Sequence, residues 1–436
     1  MATSREIRVG LIGFGTIGTG VVKMLAARRA AIDAILGARL RLVRIADLDT
    51  RTDRGVRLPK GVLVNDVSRV LDDPSIDIVI ELMGGYEPAR KFMLAAIRAG
   101  KSVATANKAL LATHGAEIFK AAARARVDVG FEASTGGGIP IVRVLRDAVS
   151  ADRNRGVYGI VNGTCNHILS TMAADGTGFA TALAQAQADG LAEADPTFDI
   201  DGIDSAHKLV LLSALAFGAD VRLKEIHTEG IRTIDQIDVA GARDLGYAVK
   251  LLAIGTCNGR RVTARVHPAL VPESHVLAGV GGAFNAIYVD GESLGSSMYY
   301  GLGAGMMPTA TAVVGDLIEL ARNRLAGTAA VVPPFGVPTL RRLPIVPMGD
   351  LRTAYYLRVM VRDRPGVLAE IAGLLGRERI SIATVIQHGQ GSGAVPIVIR
   401  THEAREQDLQ AALKRIRRMR AVQGAPVCLR IEENLG

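Results

Sequence analysis

Five carboxylates fall within twelve residues of the 436-residue chain: Glu193, Asp195, Asp199, Asp201 and Asp204. One lysine follows, Lys208, and then a nearly unbroken apolar run from Leu209 to Phe217. The spacing predicts a helix beginning near Gly202. Lys208 lies four residues after Asp204 on one face, and Leu211, Leu212 and Leu215 continue that face. Asp201 is placed to cap the helix and Asp204 sits in its first turn, where carboxylates complement free N–H groups and the dipole. Those acids need no function. Lys208 asks for more, because an ammonium at a buried helix mouth must pair with an acid or give up its proton more easily. A structural ion pair and an active-site proton carrier both meet that demand.

Such a carrier needs a platform, and the first third of the chain has the pattern of one. The apolar run Ile7 to Ile12 reads as a buried strand. It flows into Gly13-Phe14-Gly15-Thr16-Ile17-Gly18, a G-x-G-x-x-G, and then into a helix expected over Thr19 to Leu36. Gly13 permits the tight turn, Gly15 lets backbone approach a pyrophosphate, and Gly18 lets helix and strand pack closely. The helix N-terminus offers N–H groups to the phosphates. Strands are expected at Leu40–Ala46, Ile76–Leu82, Ser102–Ala104 and Val127–Phe131, with helices at Ala89–Ala99 and Ala109–Arg124. This alternation predicts an α/β doubly wound parallel sheet. Gly84-Gly85, Thr105 to Lys108 and Glu132 to Ser134 fall at the carboxyl ends of its strands, where ligands bind. Asp47 follows the second strand, where an acid holds the ribose 2′-OH of NAD. Arg44, Arg51 and Arg54 nearby suit either the 2′-phosphate of NADP or a plain exposed loop.

The middle third continues with "EASTGGGIPIV", a glycine-rich bend whose carbonyls can ligate a monovalent cation, although a plain turn has the same sequence pattern. A strand at Val157–Val161 leads to an Asn162-Gly163 turn, with Thr164 as the expected cap of the next helix. Cys165 lies at that helix start. It reads as a small buried side chain or as a thiolate stabilised by the helix end. Gly303-Ala304-Gly305 lets backbone approach a bound group. The helix expected over Thr309–Leu320, with Pro308 in its first turn, is placed to pack back onto the nucleotide platform.

The three cysteines, Cys165, Cys257 and Cys428, are far apart, which argues against a disulfide framework or zinc site and for a reducing cytoplasm. The formal charge is +9, yet no nucleic-acid motif or basic-aromatic interleaving accompanies it. Neither a membrane span nor a signal peptide is expected.

Six stretches together carry a family resemblance: GFGTIG, TANKALLA, FEASTGGGIPIV, VNGTCNHIL, GLAEADPTFDIDGIDSAHK and GAGMMPTATAVV. The chain resembles homoserine dehydrogenases of the long bacterial type over nearly its whole length. The E-x-D-P…D…G-x-D-x-x-x-K segment is the specific one. The resemblance implies interconversion of L-homoserine and L-aspartate 4-semialdehyde with NAD or NADP, on the path to threonine and methionine. It implies that Lys208 is the proton donor and Lys108 the second lysine at the reacting oxygen. It assigns Glu193, Asp199 and Asp204 to the substrate amino group or to fixing the lysine. Gly13 to Gly18, Asp47, Thr105, Lys108 and Gly305 would hold the cofactor. Glu132, Thr135, Gly137 and Ile139 match positions that bind Na+ or K+, largely through backbone oxygens. Many relatives carry arginine where this chain has Ala46, and Thr or Ser where it has Cys165.

The last eighty or so residues read as a separate module beyond a proline-rich linker at 327–353. Expected elements are a strand at Tyr355–Val361, a turn and helix from Arg362 to Ile380, strands at Ile382–His388 and Val395–Thr401, a helix at Glu403–Met419 and a strand at Ala425–Ile431. That is a ferredoxin-like βαββαβ plan. It resembles an ACT domain, with Asp363, Arg364, Pro365, Gly366, Val367 and Leu368 as the ligand turn, which implies feedback by L-threonine. The basic residues Lys414, Arg415, Arg417, Arg418 and Arg420 read as a solvated face. The expected division is 1–135 for the nucleotide unit, completed by about 305–326, then 136–304 for catalysis and dimerisation, and 354–434 for regulation. A homodimer or homotetramer is expected. Two other readings compete: a thiol-dependent aldehyde dehydrogenase using Cys165, and an amino-acid sensor on an inactive dehydrogenase scaffold.

Overall fold

The computed structural model describes residues 5–387 and 393–436, so the expected strand end at His388 lies outside the described residues. The first body holds strands β1 Glu6–Ile12, β2 Arg39–Ala46, β3 Leu63–Val64, β4 Ile78–Glu81, β5 Ser102–Thr105 and β6 Val129–Gly130. They are ordered β3-β2-β1-β4-β5-β6, and every neighbouring pair is parallel. Parallel neighbours require crossovers. Helices α1 Thr16–Ala27, α2 Arg29–Leu36, α3 Ser68–Leu71, α4 Ala89–Arg98 and α5 Lys108–Ala125 supply most of them. The order reverses between β1 and β4, which opens the ligand crevice of a doubly wound sheet there. The single helix expected over Thr19–Leu36 is instead two, interrupted where Arg28 leaves helical geometry (φ −105°, ψ 10°). Gly13 sits at φ +96°, and a Cβ there would lie 2.8 Å from the Leu82 carbonyl. A Cβ on Gly18 would lie 2.3 Å from the Gly13 oxygen, whereas Gly15 faces open space.

The second body contains α6 Ile141–Arg143, β7 Asn154–Ile160, α7 Gly163–Asp175, α8 Phe179–Ala188, α9 Thr197–Ile200, α10 Ile203–Phe217 and β8 His227–Thr228. It continues with α11 Gln236–Asp244, β9 Tyr247–Cys257, β10 Val262–Pro272, β11 Phe284–Gly291 and β12 Gly295–Leu302. α10 is buried from Asp204 to Phe217 and lies on one face of this sheet. The absence of a side chain at Gly255 makes room for the Phe217 ring, 3.1 Å from where its Cβ would be. α12 Met306–Ala326 then returns to the nucleotide body, as expected. Its Val313 and Leu317 share a core with Val9, Leu11 and Val21.

The C-terminal module comprises β13 Arg352–Arg362, α13 Val367–Arg377, β14 Ile382–Gln387, β15 Ala394–Thr401, β16 Ala404–Arg405, α14 Glu406–Ile416 and β17 Val427–Ile431. The βαββαβ plan is present, with β16 added. The module is not separate, however. β17 pairs parallel with β10 at Ala269–Arg430 and Leu270–Ile431. One sheet therefore runs β12-β11-β7-β9-β10-β17-β13-β15-β14 through both units. The 327–353 segment is irregular but is no free spacer. Phe335 packs edge-on to Phe119 with ring centroids 4.8 Å apart, and Arg341 and Ile345 make single bridges to Ala219 and Val262.

Charges are buried along the seam. The Arg430 side chain, 2% exposed, donates to both Glu406 oxygens at 2.6 and 3.1 Å and pairs with Glu229 of the second body. Arg265 on β10 donates to both oxygens of Glu432 at 2.9 Å. Among the described residues no helix is long and apolar enough to cross a membrane. Replacing Arg430 by leucine leaves the buried Glu406 without its cation, and losses of this kind cost about 3–5 kcal/mol. Urea unfolding of Arg430→Leu followed by circular dichroism is expected to show a clearly lowered midpoint. An unchanged midpoint would mean the seam does not depend on this pair.

Candidate active site

The site forms where α10, α7 and the start of α5 converge. Gly202, at φ +79°, turns the chain into α10, and no side chain caps it. The expected Asp201 cap is thus not made. The left-handed turn sends Asp201 outward, where it pairs with Arg232. The cap of α7 also differs from expectation. It is Asn162, whose Oδ1 accepts the Cys165 N–H at 2.8 Å, while the Thr164 hydroxyl donates to the Leu191 carbonyl at 2.7 Å. The other end of the same amide donates to Asp199 Oδ1 at 2.7 Å and to Asp204 Oδ2 at 3.0 Å. One side chain therefore starts a helix and aligns two carboxylates.

Asp204 is 4% exposed and lies between two lysines. Lys208 Nζ is 2.7 Å from Oδ2 and Lys108 Nζ is 3.1 Å from Oδ1. Lys208 Nζ also donates to the Val161 carbonyl at 2.5 Å. Burial pushes the Asp204 carboxyl up, but the two ammonium groups outweigh it and hold it well below the usual carboxylate range. Burial wins at Lys208 and lowers its pKa despite Asp204. Asp204 raises that of Lys108, which reaches toward the crevice and is a third exposed. Asp199 is raised, by burial first and by the like charge of Asp204, while the Asn162 bond opposes both. Glu193 is exposed on the rim, and its charge helps to keep Lys108 protonated. The acidic stretch thus divides into Asp199 and Asp204 inside, Glu193 at the edge, and Asp195 in a local turn with the Thr197 N–H.

Cys165 adjoins this cluster but is fully buried. Burial pushes its thiol well above the ordinary value, Asp199 and Asp204 push it further, and its Sγ–H donates to the Asp199 carbonyl. Burial thus outweighs the helix-end stabilisation considered from the sequence, which disfavours a thiolate nucleophile at this position.

Lys108 is delivered by a chain of bonds at the strand ends. The Thr105 hydroxyl donates to Glu81 Oε2 at 2.7 Å and accepts the Asn107 N–H at 3.0 Å. Asn107 caps α5 through the Leu110 N–H and donates to the Gly85 carbonyl at 2.8 Å. Glu81 is wholly buried, and burial raises its pKa. Sequence reasoning missed Asn162, Glu81 and Asn107. A lone acid inside the apolar run "IVIEL" was the available signal for Glu81. It also missed a rim of rings in which Phe198 stacks on His207 at 5.3 Å and Tyr86 lies 3.5 Å from His207 Nε2.

At the nucleotide turn, Asp47 Oδ2 accepts the Phe14 N–H at 2.5 Å and Oδ1 accepts the Asp49 N–H at 2.8 Å. Arg54 lies over the Phe14 ring at 4.8 Å and donates to the carbonyls of Phe14, Thr52 and Asp49. Arg44 turns away to the Gly61 carbonyl and Arg51 is exposed. Gly305, at φ +110°, opens α12. In the glycine-rich bend, Gly136 and Gly137 have positive φ. The Glu132 carboxylate accepts the N–H groups of Val142 and Arg143, and its backbone oxygen accepts the Thr135 N–H. The Ile139 carbonyl accepts the Ile141 N–H. Among the described residues, the carbonyls of Thr135 and Gly137 pair with no protein donor. Oxygen donors of this kind suit a hard monovalent cation.

Three family descriptions match successive parts of the chain. Residues 13–132 match "Homoserine dehydrogenase, NAD binding domain", residues 140–318 match "Homoserine dehydrogenase" and residues 355–421 match "ACT domain". The homoserine dehydrogenase of Neisseria gonorrhoeae is 41% identical over 431 residues, covering 98% of this chain and 99% of that one. The chain belongs to the homoserine dehydrogenase family. The homoserine dehydrogenase of Mycobacterium tuberculosis H37Rv is 42% identical over 438 residues, covering 98% of each chain. The crystal structure of a homoserine dehydrogenase from Thiobacillus denitrificans superposes with a TM-score of 0.93 at 44% identity, covering 99% of both chains. The protein is accordingly an NAD(P)-dependent oxidoreductase that interconverts L-homoserine and L-aspartate 4-semialdehyde.

Asn162→Ala removes a cap worth about 1 kcal/mol and frees both carboxylates. Steady-state kinetics on L-homoserine are expected to show a raised KM with the thermal midpoint only slightly lowered. An unchanged KM would separate Asn162 from substrate binding.

Proposed function

We propose that the cluster centred on Asp204 carries out the proton-transfer half of the reaction. The observation that carries this reading is one buried carboxylate bonded to two lysines from different bodies. A bound dinucleotide would supply the hydride for the carbonyl carbon of the semialdehyde. Lys208 gives its proton to the carbonyl oxygen, and Lys108, kept cationic, stabilises the negative charge developing there. Asp199 and Glu193 receive the substrate ammonium, while Asp204 fixes both lysines. In the oxidative direction Lys208 takes the hydroxyl proton. The lowered pKa of Lys208 eases both transfers. The two lysines keep the catalytic groups of a working enzyme, which disfavours the reading of an inactive sensor.

The Gly13–Gly18 turn and the start of α1 would hold the pyrophosphate, with Thr105, Lys108 and Gly305 lining the nicotinamide side. Asp47 at the ribose position, together with Arg54 committed to three carbonyls, supports a preference for NAD. Glu132, Thr135, Gly137 and Ile139 would hold a monovalent cation, Na+ or K+, that fixes the bend beside Gly303. A homodimer is supported by the outer strand β12, where Met298, Tyr300 and Leu302 are exposed on one side and Phe284 stacks on Tyr300 at 5.0 Å. A homotetramer through the C-terminal module extends the same reading. The ACT module, with the turn at Asp363, Pro365, Gly366, Val367 and Leu368, supports feedback by L-threonine. Three free cysteines fit a reducing cytoplasm. The domain division at 135, 304, 326 and 353 follows from the same reading.

Lys208→Ala is expected to lower kcat by about 10²- to 10⁴-fold. Semialdehyde reduction needs protonated Lys208, so its rate falls as pH rises through the lysine's lowered pKa. The alkaline limb should therefore lie below the ordinary lysine value of about 10.4, and it should vanish in the variant. Full turnover by Lys208→Ala would sink the mechanism. Initial rates of L-homoserine oxidation with NAD and NADP side by side test the cofactor. A higher kcat/KM with NAD is expected, and the reverse order would reassign Arg54 or Arg51 to the 2′-phosphate.

A further inference from the structure

A half-enclosed cleft of about 220 Å³ lies at the seam between the second body and the ACT module, and neither lysine of the pair lines it. Its size suits a single small metabolite, below the range of about 300–1,000 Å³ typical of larger ligands. Both units build it. Tyr158 and Thr263 come from β7 and β10, Arg352 from the first residue of β13, Glu403 from the segment before β16, and Glu432 from just beyond β17. The floor is already neutralised, because Arg265 and Glu432 satisfy each other through two 2.9 Å bonds. The lip is different. Among the described residues, Arg352 and Glu403 pair with no other charged group, and the Tyr158 hydroxyl has no protein partner. β13 and β16 are in register at Arg352–Arg405 and Thr353–Ala404, so Glu403 stands diagonally across from Arg352. Diagonal neighbours on a sheet are about 7–8 Å apart, within reach of one small ligand. One free cation and one free anion at that spacing, with an uncommitted hydroxyl opposite, complement a small zwitterion.

We propose that this cleft is a second, intrachain site for a free α-amino acid with a small side chain. Its carboxylate lies on Arg352, its ammonium on Glu403, and its side chain faces Tyr158. The proposal rests on the reading that the C-terminal module responds to amino acids, and it adds a place distinct from the Asp363 turn. The cleft walls include both strands of the one ladder that, among the described residues, joins the two units, β10 and the end of β17. Arg430 on β17 holds Glu229, and residues next to Glu229 strap onto the acidic stretch. The Ile231 N–H donates to the Ile200 carbonyl at 2.8 Å, and Gly230 packs so closely on Ile200 and Asp201 that a Cβ would not fit. An occupant that fixes β17 against β10 thus reaches, through one ion pair and one hydrogen bond, the stretch that carries Asp199 and Asp204.

Isothermal titration of the full-length protein with L-threonine, L-serine and glycine tests this. In the Asp363→Ala variant, one site per chain is expected to remain for at least one of the three. Adding Arg352→Ala or Glu403→Gln should weaken that site about tenfold or more, as expected for loss of a charge-assisted bond, with kcat in the absence of effector unchanged. Loss of all binding in Asp363→Ala alone overturns the cleft and leaves amino-acid regulation standing. Residual binding indifferent to Arg352→Ala and Glu403→Gln places the ligand elsewhere and also overturns the cleft. No binding of any of the three to the unaltered protein overturns the cleft and the regulatory reading together.

Discussion

A carboxylate inside an apolar helix start must be matched by positive charge, and the geometry of the site follows from how Asp204 is matched. Its own helix supplies one cation, Lys208, at helical spacing. The second, Lys108, comes from the first turn of α5 in the nucleotide body. Breaking a buried pair costs several kcal/mol, so the two bodies are drawn together at this point. The same arrangement puts a proton that is easily given beside a cation that is firmly kept. Burial supplies the first property and Asp204 the second. In the proposed reading the substrate ammonium then falls to the acids left over, Asp199 within the cluster and Glu193 at its rim.

Much of the nucleotide body was legible because its signals are local. Apolar runs of strand length, glycines at fixed offsets and intervening helical spacing recur from Ile7 to Phe131, and the sheet order follows the connection rules for parallel strands. The Asp204–Lys208 pair was legible for the same reason, since four residues on a helix is a fixed geometry. Helix starts were less so. Asn162 displaced Thr164 as a cap because its amide can satisfy a helix N–H and two carboxylates at once, and those carboxylates lie far along the chain. Gly202 displaced Asp201 because the chain must double back between α9 and α10, a turn that needs a left-handed residue and leaves no room for a cap. The break at Arg28 has no proline or glycine to announce it.

The larger surprise is architectural. The C-terminal sequence has the composition and periodicity of an independent βαββαβ unit, and it has its own core. Its last strand nevertheless completes a neighbour's sheet. Periodicity reports which face of a strand is buried, but it does not report which strand lies beside it. That information resides in side chains such as Arg430 and Glu229, whose pairing is long-range and has no local signature.

The shared sheet has a consequence for how the chain is made. β10 ends at Pro272, while the partner that covers its Ala269–Leu270 stretch begins at Val427. β8 precedes β10 in the chain and can shield Arg265 and Val266 as soon as β10 emerges. The stretch beyond it has no such early partner. At a synthesis rate of about 5–20 residues per second, that edge waits roughly 8–30 seconds on the ribosome. During that interval it is an apolar strand with one open edge next to nascent neighbours of identical sequence, the circumstance in which edges template misassembly. The ACT module is thus also the closing strip of the second body's sheet. Any shortened form would carry a lasting version of the exposure that the intact chain experiences only during its birth.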